Sequence, residues 1–128
     1  NELPGIAKIT ANGEFHLTVR DVKASSAKDA AIRLTHIAIK AYSLLTDQQG
    51  VSSKKIVIPI LKNWRVYDGN TRHVLANHKG ILRNSGELSL DVHAAKDADR
   101  YIKDVLDPKI EGTWQAGSKA RAKSKSTK

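Results

Sequence analysis

The 128-residue sequence predicts an α+β fold, on three observations. Two glycine turns, Asn12-Gly13 and Ser85-Gly86, each lead into an alternating strand pattern. A long run from Ser26 to Leu45 repeats apolar residues at helical spacing. A shorter run from about Ala94 to Leu106 does the same. The expected architecture is an antiparallel sheet of about five or six strands carrying two helices. It occupies residues 1–116 as one domain, and residues 117–128 form a disordered basic tail.

The elements follow in order. Phe15, Leu17 and Val19 alternate after the first turn, the period of a half-buried strand. The first helix takes Ser25 or Ser26 as its cap and Asp29 in its first turn. Ala30, Leu34, Ile37, Ala38, Ala41, Leu44 and Leu45 form one apolar face, widened by Ile32, Ile39 and Tyr42. A helix this apolar needs cover on more than one side. One sheet face falls short of that, so a second copy of the chain is expected to cover the rest. Next, Lys55–Leu61 reads as a β-rich run, with Pro59 marking an edge strand or a bulge. Trp64–Tyr67 and Arg72–Ala76 flank Asp68-Gly69-Asn70 and read as a hairpin. Leu88, Leu90 and Val92 alternate after the second glycine turn. The second helix buries Ala98, Tyr101, Ile102 and Val105, and Asp107-Pro108 stops it.

The two glycine turns belong to matching stretches. Gly5–Lys8, Gly13–Val19 and Ser26–Ala30 parallel Gly80–Arg83, Gly86–Val92 and Ala94–Ala98. Both read as a ββα unit. In element order this unit resembles the arm-binding domains of phage integrases and the repeats of PUR-type and Whirly single-strand binders. The resemblance implies a nucleic-acid partner. Neither group's diagnostic motif is present, and the integrase-type module needs a third strand in each unit.

Charge narrows the function. The net charge is +9 and the pI about 9.9. The excess sits in two blocks. Residues 54–83 hold seven bases against Asp68 alone, and residues 117–128 hold five bases and no acid. Concentrated positive charge suits a phosphate-rich partner. In and around the expected hairpin, Lys54, Lys55, Lys62, Arg65, Arg72, His73, Lys79 and Arg83 supply cations, and Tyr67 an aromatic face. The tail adds Lys119, Arg121, Lys123 and Lys125 as a mobile polycation.

Other chemistries find little footing. There is no cysteine, which removes disulfides and thiolate chemistry and fits a reducing compartment, cytoplasmic or nucleoid-associated. His16, His36, His73, His78 and His93 are scattered, so no metal site is expected. No phosphate-cradling glycine loop or nucleophile elbow occurs, and no cofactor is implied. Glu87, Asp91 and Lys96 read as solvated charges rather than a nuclease centre. No apolar run reaches the roughly 20 residues of a membrane span, no leader is legible, and no membrane partner is expected. The sequence therefore points to a non-enzymatic nucleic-acid-binding module of weak sequence preference. Single-stranded DNA, duplex DNA and RNA stay open. The alternative is an assembly module, homodimeric through the first helix, whose basic face meets an acidic protein.

Overall fold

The computed structural model describes residues 1–114 as four α-helices and two three-stranded antiparallel sheets. The first sheet is a meander of β1 (Glu2–Leu3), β2 (Ala7–Ile9) and β3 (Phe15–Leu17). Gly13 turns the chain between β2 and β3 with φ +85°. Thr10 N–H donates to the Glu14 carbonyl at 2.8 Å, and Gly13 N–H donates to the Thr10 carbonyl at 2.9 Å. The result is a three-residue loop whose last position favours glycine.

Helix α1 (Ala27–Thr46) starts where its cap dictates. The Ser26 hydroxyl accepts from Asp29 N–H at 3.0 Å, and the Asp29 carboxylate accepts from Ser25 N–H at 2.9 Å. Leu34 and Ile37 are completely buried. Each such side chain contributes about 1.5–3 kcal/mol by leaving water. The cover comes from the chain itself: α1 packs against the first sheet, against β4 and β6, and against the three other helices. The chain itself thus covers much of α1, while Leu44 on its apolar face stays exposed.

The middle of the chain departs most from expectation. After β4 (Val51–Ser52) comes a π-helical turn, Ser53–Val57, running into α2 (Ile58–Asn63). The Ser52 hydroxyl caps the turn, accepting from Lys55 N–H at 3.0 Å. Pro59 falls in the first turn of α2, where a missing N–H costs nothing. The edge strand expected there does not form. Asp68-Gly69 is not a hairpin turn but the start of α3 (Gly69–Ala76). Asp68 accepts from Thr71 N–H at 2.8 Å, and the Thr71 hydroxyl accepts from Asp68 N–H at 3.0 Å. This reciprocal pair fixes a helix N-terminus.

The second sheet has the order β4-β6-β5, with β5 spanning Ile81–Asn84 and β6 Glu87–Leu90. Ser85 and Gly86, at φ 53° and 83°, make the two-residue turn between them. Positive φ at both positions is the type I′ signature. Asp91 is not a strand residue. It accepts from Ala94 N–H at 2.8 Å and caps α4 (Val92–Leu106), which begins two residues earlier than expected. Both ββα stretches exist, as β2-β3-α1 and β5-β6-α4, but each hairpin joins its own sheet. The described chain ends by folding back. Thr113 and Trp114 N–H groups both donate to the Ala24 carbonyl at 3.0 Å, and Trp114 is buried against Trp64.

Candidate nucleic-acid interface

The basic block of residues 54–83 folds as helix, connection, helix and hairpin. Its side chains are placed by backbone devices legible one at a time. Helix α2 ends in a Schellman arrangement. Arg65 N–H donates to the Lys62 carbonyl and Val66 N–H to the Leu61 carbonyl, both at 3.0 Å. The residue that must turn left-handed is Arg65, at φ 62°. Glycine is the usual occupant, and a side chain there costs roughly 1–2 kcal/mol. Arg65 is nonetheless exposed at this corner. The 64–68 connection then carries the chain to the Asp68 cap. The Thr71 hydroxyl donates to the Val66 carbonyl, binding α3 to the connection.

Helix α3 buries Thr71 and Leu75 and exposes Asn70, Arg72 and His73. Tyr67 is half-buried in the connection, with the Arg72 guanidinium and the Lys62 ammonium each 5.7 Å from its ring. Such a pairing contributes about 0.5–1 kcal/mol at an exposed site. On the hairpin, Ile81 faces Leu90 and Arg83 faces Leu88. Arg83 thus shares the inner side of the hairpin with residues of the core. Arg72, Tyr67 and Arg83 come together around one cavity between α3, the π-helical turn and the hairpin.

The structure separates other expected members. Lys55 lines a different, open groove beside Phe15, Tyr42 and Pro59. Lys54 and Lys79 are exposed, on the π-helical turn and in the α3–β5 connection. The expected strand alternation, with Asn63, Arg65 and Tyr67 on one side and Lys62 and Trp64 on the other, does not exist, because these residues end a helix. Arg65 and Arg72 are not on two arms of a hairpin. Nor do they pair with the acids of α4: Asp104 holds Arg33 at 3.3 Å, and Asp97 holds Arg100 at 3.3 Å. Lys119, Arg121, Lys123 and Lys125 lie outside the described residues. Asn70, Asn84 and Ser85 join the exposed surface unforeseen. The Asp68–Thr71 spacing was the signal for Asn70, since it places that residue in a first helical turn.

A second cluster lies in the core. His36 on α1 is fully buried, with Nδ1 2.7 Å from the Ile32 carbonyl and Nε2 without a partner among the described residues. The ring packs edge-on to His78 at 4.9 Å and Tyr101 at 5.4 Å. Burial holds the His36 pKa below the usual imidazole value, and His78 adds to the effect. Among the described residues, no group of three or more His, Asp or Glu is placed to hold a metal ion. No described helix is long and apolar enough to cross a membrane.

No family model, curated protein or solved structure matches this chain.

Proposed function

We propose that this chain binds double-stranded DNA without catalysis, through α3 and the β5–β6 hairpin, with weak sequence preference. The observation that carries the reading is the succession α2–connection–α3–hairpin with exposed Lys62, Arg65, Arg72 and Arg83 along it, none of which holds a carboxylate within 4.0 Å among the described residues. Two short helices joined by a five-residue connection follow the element order of a helix-turn-helix, a motif whose second helix fits the DNA major groove. Asn70 and Arg72 sit in the first half of α3, where such a helix meets base edges, and His73 follows at the start of its second half. Lys62, Arg65 and Arg83 are exposed on the neighbouring elements and suit flanking phosphates. Few side chains would meet bases, hence weak preference.

Duplex DNA is favoured over single strands by the aromatic residues. Single-strand binders need free rings on which bases stack. Trp64 is instead stacked on Trp114 at 6.5 Å, and Tyr67 lies under two cations. The last described residue, Trp114, lies against Trp64, next in sequence to Arg65. An acidic protein is the alternative partner for the same face.

The test is the double variant Arg65→Gly, Arg72→Ala. Two lost phosphate contacts lower the salt slope of duplex binding by about 1.8. Stability holds or rises, because glycine relieves the left-handed corner. Fluorescence anisotropy on unrelated 20-base-pair duplexes at several salt concentrations, beside a melting curve, reads both. An unchanged affinity and slope would remove α3 from the mechanism.

A further inference from the structure

The cavity between α3, the π-helical turn and the hairpin has a volume of about 300 Å³. That is the lower end of the range for small-molecule sites, and roughly ten waters' share of liquid volume. Its floor is apolar: Val57, Leu61, Leu75, Ile81 and Leu88 are each 6 % exposed or less. Of the two hydroxyl residues on its wall, Thr35 and Ser53, the Thr35 hydroxyl already donates to the Ala31 carbonyl at 2.8 Å. Water entering such a space would give up hydrogen bonds and recover few. The rim differs. Arg72 and Arg83 both reach it and are exposed, and among the described residues neither holds a carboxylate within 4.0 Å. Tyr67 lies between floor and rim.

One wall is the π-helical turn, with Ser53 and Val57 on the lining. Widened turns of this kind are uncommon and concentrate at functional sites. The helix-turn-helix explains the outer cations but not the apolar hollow beneath them. A phosphate backbone would touch the rim and leave the floor empty.

We propose that this cavity binds a small amphipathic monocarboxylate with an aromatic body. The ring fills the apolar floor, and the carboxylate meets the guanidinium groups of Arg83 and Arg72, whose forked donors match its two oxygens. The neutral ring gains by leaving water, while the anion stays at the half-open mouth and keeps part of its hydration. The assignment rests on cavity shape and rim charge, and stands whether or not the chain binds DNA.

Indole-3-acetate and its neutral isostere indole-3-acetamide are the probes, titrated into the full chain and followed by methyl and amide NMR. The acid shifts the methyls of Val57, Leu75, Ile81 and Leu88 and binds at least about tenfold tighter than the amide, the worth of one charge-assisted contact. Arg83→Gln narrows the gap between acid and amide, and Arg72→Gln with Arg83→Gln brings them to equal affinity. Ala76→Phe, an exposed position at the mouth, abolishes the methyl shifts while leaving the amide spectrum elsewhere unchanged. Equal binding of acid and amide to the unaltered chain, acid-induced shifts confined to other regions, or undiminished binding by Ala76→Phe would each overturn the site. DNA binding is not measured in any arm, so failure here leaves the DNA reading standing, and the converse holds.

Discussion

At the scale of single residues, His36 carries the clearest cost. An imidazole fully inside the core stays neutral because the ring has little water or counter-charge to support a proton. Asp91 and Asp97 act in the opposite sense, raising its pKa, but burial outweighs them. The sign follows by linkage. The folded-state pKa lies below the unfolded value near 6.5, so the unfolded chain takes up the proton first as pH falls. The stability contribution is therefore intact above about pH 6.5 and lost progressively below it. Melting temperature should fall between pH 7.5 and pH 5. His36→Leu should flatten that fall, at some loss of stability at pH 7.5 from the missing bond to Ile32. If the variant keeps the full slope in thermal melts, another group sets the acid sensitivity. The sequence placed this histidine on the polar strip of α1 and did not mark it as buried. Its place on the polar strip of α1 hid that α4 and the 77–80 connection close over it.

Among elements, α3 depends most on its ends. At eight residues it is shorter than an isolated helix can sustain. The Asp68–Thr71 pair satisfies its first free N–H groups and ties it to the α2 corner. Asp68→Ala should destabilise the protein by about 1 kcal/mol. Urea unfolding checks this, and a midpoint unchanged from the parent would mean that packing on α1 alone holds the helix. The same pair explains the misread hairpin. Asp-Gly serves equally as a type I′ turn and as a cap followed by the first helical residue. Only Thr71 at the third position separates the two readings. The Lys55–Leu61 run was ambiguous for a related reason. Short β-branched apolar runs suit a buried strand or a buried helix. Here Pro59 at a helix start was compatible with one and forbidden in the centre of the other.

On the scale of the whole molecule, positive charge is divided between a folded surface and a terminal segment. Residues 117–128 add five bases without an apolar side chain larger than alanine. Deleting them should weaken duplex binding and lower its salt slope further, without changing the melting temperature. Anisotropy titrations at several salt concentrations, with calorimetry, separate the two effects. A deletion that leaves the slope intact would confine binding to the folded part. A lowered melting temperature would show that the segment packs. The same scale accounts for α1. A helix apolar on nearly every side needs cover on several sides, and the two sheets and three further helices pack against it within one chain. Six very short strands left enough helix to do so.

The sequence by itself determined what local chemistry can determine. It specified a mixed α+β chain, the long α1 with its Ser26 cap, both glycine hairpins, the body of α4 and the basic block at residues 54–83. Each rests on side chains within a turn or two of one another, where spacing and capping act without the rest of the fold. Tertiary structure decided the remainder. It divided the strands into two sheets and turned the expected strands at residues 55–61 and 72–76 into helix. It also brought Arg72 and Arg83, eleven positions apart, to the rim of one cavity. Those outcomes depend on which surfaces cover α1, and burial against a distant segment outweighs the small difference between strand and helix propensity.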